Sequence, residues 1–227
     1  MAETGGVGNQ PPPLSGFDPL ECDPALVDAV RREGAEDALP TLEVLAGLAG
    51  SAEAREHARL ADTHPPVLRT HDRYGHRIDD VEVHPSWHWL MNTSVGWGLH
   101  ATPWVAEAGS GAHVARAAGF YLMNQLENGH CCPISMTYAA VPALRLDDQL
   151  ADRFEPGLRA QQYVPDSAAP EKKAGLLAGM SMTEVQGGSD LRAVTTRAEP
   201  AADGTYRVSG RPVSGPARGT DRSSARR

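Results

Sequence analysis

The sequence predicts an α+β fold, with an N-terminal helical domain followed by the first strands of a β domain. Three observations lead there. Up to about residue 145, apolar side chains recur at spacings of three and four. After Lys173 the pattern changes to short strand-like runs at 176–183, 194–198 and 206–208. Between the last two, Asp203-Gly204 is a turn signal. Helices first and strands afterwards argue for α+β, or for two domains, over an alternating βαβ chain.

Taken in order, residues 1–18 are Gly- and Pro-rich at their start and are expected to form a disordered or loosely docked arm. Residues 19–145 are expected to form the helical domain. Asp23 is a candidate N-cap with Pro24 at the first helical position, and Gly34 follows the periodic Leu26, Val27 and Val30. A second helix is expected from Thr41 and a third from Ser51, stopped by His64-Pro65-Pro66. Residues 63–85 read as a long irregular connection with one short strand at 78–83. A tryptophan-rich helix spans about 87–100. The clearest helix has Ser110 as its cap, then Val114, Ala118, Tyr121, Leu122 and Leu126, with Asn128-Gly129 closing it. The next opens at Pro133 and ends near Val141, because Pro142 biases its predecessor away from helix. Residues 146–172 are polar and read as a linker, and residues 173–210 as the start of the β domain.

Composition limits the function. The 227 residues have room for one large domain or two small ones. The chain is 41% apolar and 22% charged, as ordinary globular proteins are. A net charge of −8 argues against a general nucleic-acid or membrane-surface binder. No run approaches the roughly 18 apolar residues of a membrane span. The opening MAETGGVGNQPPPLSG has neither a basic nor an apolar block, so it is not read as a secretory signal. Three cysteines, an odd number, suit a reducing cytoplasm, with Cys131 and Cys132 expected to be buried free thiols.

The most informative stretch is MSMTEVQGGSDLRAVTTRAE, residues 180–199. A strand ending in Met-Thr-Glu and running into Gly-Gly-Ser-Asp offers backbone N–H groups and hydroxyls. Small residues there let the backbone approach a planar or phosphorylated ligand closely. Neither the P-loop spacing nor the dinucleotide-binding glycine pattern is present. On the residues alone, a surface β-turn whose Asp caps its own loop stands equally open.

MTEVQGGSD resembles the signature of acyl-CoA dehydrogenases, in which Thr-Glu and Gly-Ser-Asp are separated by three residues. The threonine-rich run Thr195-Thr196-Arg197-Ala198 and then DGTYRVSG follow it, as in that family. Within the family, the chain is most similar to the AidB-like, adaptive-response branch. HARLADTHPPVLRTHDRYGHRIDDVEVHPSWHWLM, SGAHVARAAGFYLMNQLENGHCCPISMTYAAVPAL and KKAGLLAGMSMTEVQGGSDLRAVTTRAE carry that likeness in order, from about Leu20 to Gly210. The resemblance implies a helical domain, a middle β domain and a C-terminal helical bundle. It also implies FAD as cofactor, an acyl-CoA-type small molecule as partner, α,β-dehydrogenation of an acyl thioester, and homo-oligomeric full-length relatives. Carried over residue by residue, Met182 and Thr183 would lie against the flavin ring, with Thr183 bonding its polar edge. Met180 would begin that wall. Gly188 and Ser189 would approach the flavin chain and pyrophosphate, and Ser189 would also reach the acyl-CoA.

The text after Gly210, RPVSGPARGTDRSSARR, departs from the family's lysine-tryptophan strand. It is expected to mark a truncation or frameshift, with residues 211–227 a disordered tail. The family's catalytic glutamate lies in the C-terminal bundle, so no catalytic residue is assigned and the chain alone is expected to be inactive. Glu184 belongs to the turn and is not read as the base. The DNA-binding face attributed to this branch is also C-terminal, so nucleic acid is not an expected partner. Other constellations read more simply. His84 and His88 lack a third metal ligand and are expected to be surface or packed histidines. Trp87, Trp89 and Trp97 are expected to pack in the core, and Ser135 and Thr137 within a helix. Beside the flavoprotein stands a second class, a non-catalytic fragment or helical interaction module. A yellow purified protein favours the first and a colourless one the second.

Overall fold

The computed structural model describes Leu14, residues 16–210 and residues 212–213. The expectation of an arm falls mostly outside these residues, and so does most of the expected tail. Helix α1 spans Pro24–Arg32, and the Asp23 carboxylate accepts the Leu26 amide at 3.0 Å. Helix α2 (Leu39–Gly50) runs into α3 (Ala52–Thr63) through Ser51, whose hydroxyl accepts the Ala54 amide at 3.1 Å. Both caps stand where the sequence puts them, because each satisfies an amide that the first turn leaves unpaired.

Residues 63–85 differ from the expected irregular connection. They hold an antiparallel hairpin, β1 (Val67–His71) with β2 (Arg77–Glu82), in which Leu68 pairs with Val81. The Asp72 carboxylate takes the amides of Tyr74 and His76 and so closes the turn. Both strands are largely solvent-facing, so no apolar alternation marks the first of them.

Helix α4 (Pro85–Gly96) is capped by His84, whose ring Nδ1 accepts the Ser86 amide at 3.1 Å. Helix α5 (Ala112–Leu126) is capped by Gly111 rather than Ser110. Gly111 sits at φ 71°, a left-handed conformation that glycine adopts at little cost, and no side chain caps this helix. At its other end Glu127, not Asn128-Gly129, forms the cap, and its carboxylate takes the amides of Gly129 and His130.

Helix α6 (Cys131–Leu144) runs through Pro142 instead of stopping at Val141. Proline has no N–H for the carbonyl four residues back. That carbonyl, of Tyr138, accepts the Trp104 indole N–H at 2.9 Å, so the helix continues with the group satisfied. Residues 148–158 form α7 (Asp148–Leu158), a helix within the stretch read as linker. Asp147 caps it by accepting the Leu150 amide, and Glu155 ties it to α6 by receiving two hydrogen bonds from Arg145 at 3.0 and 2.7 Å. Leu150, Phe154 and Leu158 also recur every four residues along it, a short apolar period broken by Pro156.

Helix α2 packs on α5, α3 on α4, and α6 on α7. Leu45, Leu90, Met91, Met123 and Ile134 fill one core. Val30, Leu42, Ala118 and Leu122 belong to a second, beneath α1. Trp87 is buried in the first, with Trp89 and Trp97 packed against it, as expected of a helix face.

After α7 the chain does not form the strand expected over 176–183. Only β3 (Thr183–Glu184) is a strand, paired with β6 (Pro212–Val213) from the stretch read as tail. A proline at the first position of a strand gives up a single donor. Residues 176–182 have no strand assignment, and the amides of Leu176, Ala178 and Met180 bond to helices α7 and α6 instead. Strands β4 (Arg197–Pro200) and β5 (Tyr206–Ser209) form a hairpin around the expected Asp203-Gly204 turn. Among the described residues the three sheets are each two-stranded and antiparallel, and apart from the early β1–β2 hairpin the helices precede the strands, as read from the sequence.

Candidate functional site

The signature segment is seated on α6 and α7. The Leu176 amide donates to the Gly157 carbonyl at 2.9 Å. The Ala178 amide donates to the Thr137 hydroxyl at 3.0 Å, and that hydroxyl itself donates to the Pro133 carbonyl at 2.8 Å. The Met180 amide meets the Met136 thioether at 3.2 Å. Thr137 is wholly buried and thus fixes the register of the segment against the helix.

Met136 also lines an open cavity of about 470 Å³ between α5 and α6, together with Phe120, Asn124, Cys131, Cys132 and Ser135. One residue therefore touches both the cavity and the start of the signature. Cys131 is buried, and burial pushes its thiol up to about 12, so it stays protonated at neutral pH. Cys132 is exposed, contrary to the expectation of two buried thiols, because successive helical residues point about 100° apart.

The turn itself is organised around Glu184, which is buried although its neighbours are exposed. Its two carboxylate oxygens accept from the Gln186 side-chain amide at 2.5 Å, from the Thr195 amide and hydroxyl at 3.0 and 2.8 Å, and from the Thr196 amide and hydroxyl at 2.6 and 2.5 Å. Gln186, then the Thr196 hydroxyl and the Thr195 amide, hold the carboxyl far below the usual carboxylate range. The Gly187 amide donates to the Glu184 carbonyl at 2.9 Å and tightens the bend. The Asp190 carboxylate caps a short 3-10 turn over Leu191–Ala193 by accepting the Arg192 amide.

The residues singled out in the sequence fall into two groups. Thr183 and Gly188 meet in the turn, and Ser189 follows Gly188 along it. A Cβ placed on Gly188 would come within 3.0 Å of the Thr183 hydroxyl oxygen, so a side chain there would crowd that hydroxyl. Met180 is held apart from them, on α6, and Met182 connects the two. Met180 and Met182 are 42% and 54% exposed, so their thioether side chains present apolar surface to solvent. The exposed Met182 side chain and, next in the chain, the Thr183 hydroxyl beside Gly188 offer one apolar and one polar group, a pairing that fits a flat ligand with an apolar face and a polar edge, such as a flavin. The sequence reading missed Met136 and Thr137 as seats for the segment, and Glu184 as its centre. The pair Thr195-Thr196 was the available signal, but it was read as strand.

A second constellation is structural. Glu127, His130 and Ser94 form a chain of carboxylate, imidazole and hydroxyl, at 2.8 Å and 2.9 Å. Its order is that of a nucleophile triad, yet Ser94 is 1% exposed and His130 fully buried, so no substrate reaches the hydroxyl. The chain ties α4 to the turn between α5 and α6. Burial pushes the Glu127 carboxyl up, and the hydrogen bonds from His130 and Gly129 outweigh it, leaving a net lowering. His84 caps α4, and His88 bonds the Tyr163 hydroxyl at 2.9 Å. Among the described residues no three His, Cys, Asp or Glu side chains converge on a metal site, and no helix is long and apolar enough to cross a membrane.

Residues 9–165 match the family model of the adaptive response protein AidB N-terminal domain. The putative acyl-CoA dehydrogenase AidB of Escherichia coli (strain K12) is 44% identical over 210 residues, 92% of this chain and 39% of its own length. Among solved structures, the apo form of Bd2924 superposes with a TM-score of 0.71 at 28% identity, covering 88% of this chain and 40% of that one. Caenorhabditis elegans ACDH-11, in complex with C11-CoA, gives a TM-score of 0.66 at 25% identity, covering 92% of this chain and 35% of that one. The chain thus spans about two fifths of the curated relative it matches. With its helical domain, its signature turn and these relatives agreeing, this acyl-CoA dehydrogenase-like chain belongs to the AidB N-terminal domain family.

Proposed function

We propose that this chain supplies the helical face and one wall of an FAD- and acyl-thioester-binding site, for α,β-dehydrogenation of the acyl chain in the cytoplasm. In this reading the helical domain, expected over residues 19–145, includes α7 as well, and the start of the flavin-binding β domain, expected over residues 173–210, includes β6. One observation carries the reading: Met136 both lines the cavity between α5 and α6 and receives the Met180 amide. A ligand tail in that cavity and a ring against Met182 and Thr183 would lie side by side. ACDH-11, solved with C11-CoA, supports an acyl-CoA-type ligand for this fold.

Met180 and Met182 offer apolar surface to the ring face, and the Thr183 hydroxyl a hydrogen bond to its polar edge. Gly188 keeps the backbone low beside Thr183, and Ser189 offers its hydroxyl to the phosphates or to the acyl-CoA. When bound, FAD supplies the hydride-accepting ring, and the protein positions and tunes it. The longer relatives are homo-oligomers in this reading.

Fluorescence titration of the chain with FAD tests it. Binding is expected, and Thr183→Ala with Ser189→Ala together should weaken it about tenfold, since each hydrogen bond contributes ~0.5–1.5 kcal/mol. A wild-type chain that does not bind FAD, or a double variant that binds as tightly as the wild type, overturns the proposal.

A further inference from the structure

We propose that Glu184 is a positioning residue for the flavin wall: its carboxylate holds the turn from Thr183 to Thr196 closed before any ligand arrives. This role rests on the flavin reading above.

The turn has almost no core to lean on, since from Met180 to Thr196 only Glu184 is buried. Its shape must come from hydrogen bonds. A carboxylate offers about four lone-pair sites on two oxygens, and here five donors from Gln186, Thr195 and Thr196 converge on them. The burial is local, because the loop wraps the group and those three residues all belong to the loop. Three further bonds complete the closure. Gln186 reaches on to the Ala193 carbonyl at 3.3 Å, the Gly187 amide returns to the Glu184 carbonyl, and Asp190 caps the 3-10 turn.

Thr183 directly precedes Glu184, and Gly188 and Ser189 lie within the loop that the carboxylate closes. A loop free to move would lose that freedom on binding, and ligand affinity would fall by the same amount; a loop fixed beforehand avoids the loss. The same saturation excludes Glu184 as a general base. Its lone pairs are occupied, and an acceptor so strongly bonded in its charged form has little tendency to take a proton.

Glu184→Gln tests this at unchanged volume. The new NH2 group faces donors that need an acceptor, so the loop should open. In the 227-residue chain, hydrogen exchange at the Thr195 and Thr196 amides should rise on the order of tenfold or more, and FAD affinity should fall on the order of tenfold. Helical unfolding, followed by circular dichroism, should be unchanged. If Glu184→Gln does not fold, Thr196→Val removes a single hydroxyl donor and should move both quantities in the same direction by roughly threefold. Unchanged exchange in the variant overturns the role. Faster exchange with unchanged FAD affinity also overturns it, and leaves the flavin reading intact. A wild-type chain that does not bind FAD overturns the flavin reading itself, and this role with it.

Discussion

Leu90 and Glu184 are both hidden from water, and they are hidden by different means. Leu90 lies in α4 among side chains from α3, α5 and α6, which are distant in sequence and contribute shape and apolar area. Glu184 is enclosed by residues two to twelve positions further along the chain, which contribute donors. Over residues 24–158 the protein rests on non-directional burial, which scales with area and tolerates small shifts. Over residues 183–210 it rests on a few directional bonds, since both strands of the β4–β5 hairpin are exposed throughout. The helical region should therefore fail gradually with lost volume, and the turn abruptly with lost geometry or charge.

The largest effect should come from removing volume at Leu90. Leu90→Ala should cost about 2–5 kcal/mol of unfolding free energy in urea, from lost transfer energy and the cavity left behind. The loop at Thr195 and Thr196 should keep its exchange protection under native conditions, because none of its bonds touches that core. A cost below about 1 kcal/mol would break the contrast by showing that the helices do not depend on this cluster.

Thr137→Val sits between the two regions and should have a smaller effect. It removes the hydroxyl that seats the Ala178 amide while nearly preserving volume. A local loss of about 1 kcal/mol is expected, seen as faster exchange at Ala178 and Met180 with little change in the helical midpoint. Equal loss in both regions would show that they unfold as one unit.

The smallest effect on global stability should come from acid acting on the turn. Glu184 is held below the usual carboxylate range, so its contribution is fully present above the unfolded-state value. It is lost only as pH falls through the lower folded value. The Thr195 and Thr196 amide signals should therefore stay unchanged through pH ~4.3, where ordinary glutamates titrate. Movement of those signals at that pH would mean that the carboxylate is not held as described.

The helical region was largely legible because its causes leave a period or a cap in the sequence. Asp23, Ser51 and the 114–126 spacing all did so. What escaped was satisfied by partners from elsewhere in the chain. Pro142 read as a stop because Trp104, which takes up the freed carbonyl, lies 34 residues away from Tyr138. Helix α7 was hidden because its apolar positions, Leu150, Phe154 and Leu158, are few, stand among charged residues and have Pro156 between the last two. In the candidate site, Thr183, Gly188 and Ser189 were legible through the resemblance. The strand expected over 176–183 was wrong because an apolar run does not say whether its amides will meet a strand or a helix. Glu184 stood in the motif, but its role needs Thr195 and Thr196 folded back onto it.

The seat on α6 also has a consequence for the order of events during synthesis. Thr137 and Met136 leave the ribosome some forty residues before the amides they receive, those of Ala178 and Met180. The α-helices all precede the signature in the chain, and N-terminal parts generally fold first as the chain emerges. The seat can thus be finished while the signature is still in the exit tunnel. The signature then has only to dock onto a prepared surface, its Ala178 and Met180 amides first and the turn from Thr183 onward afterwards.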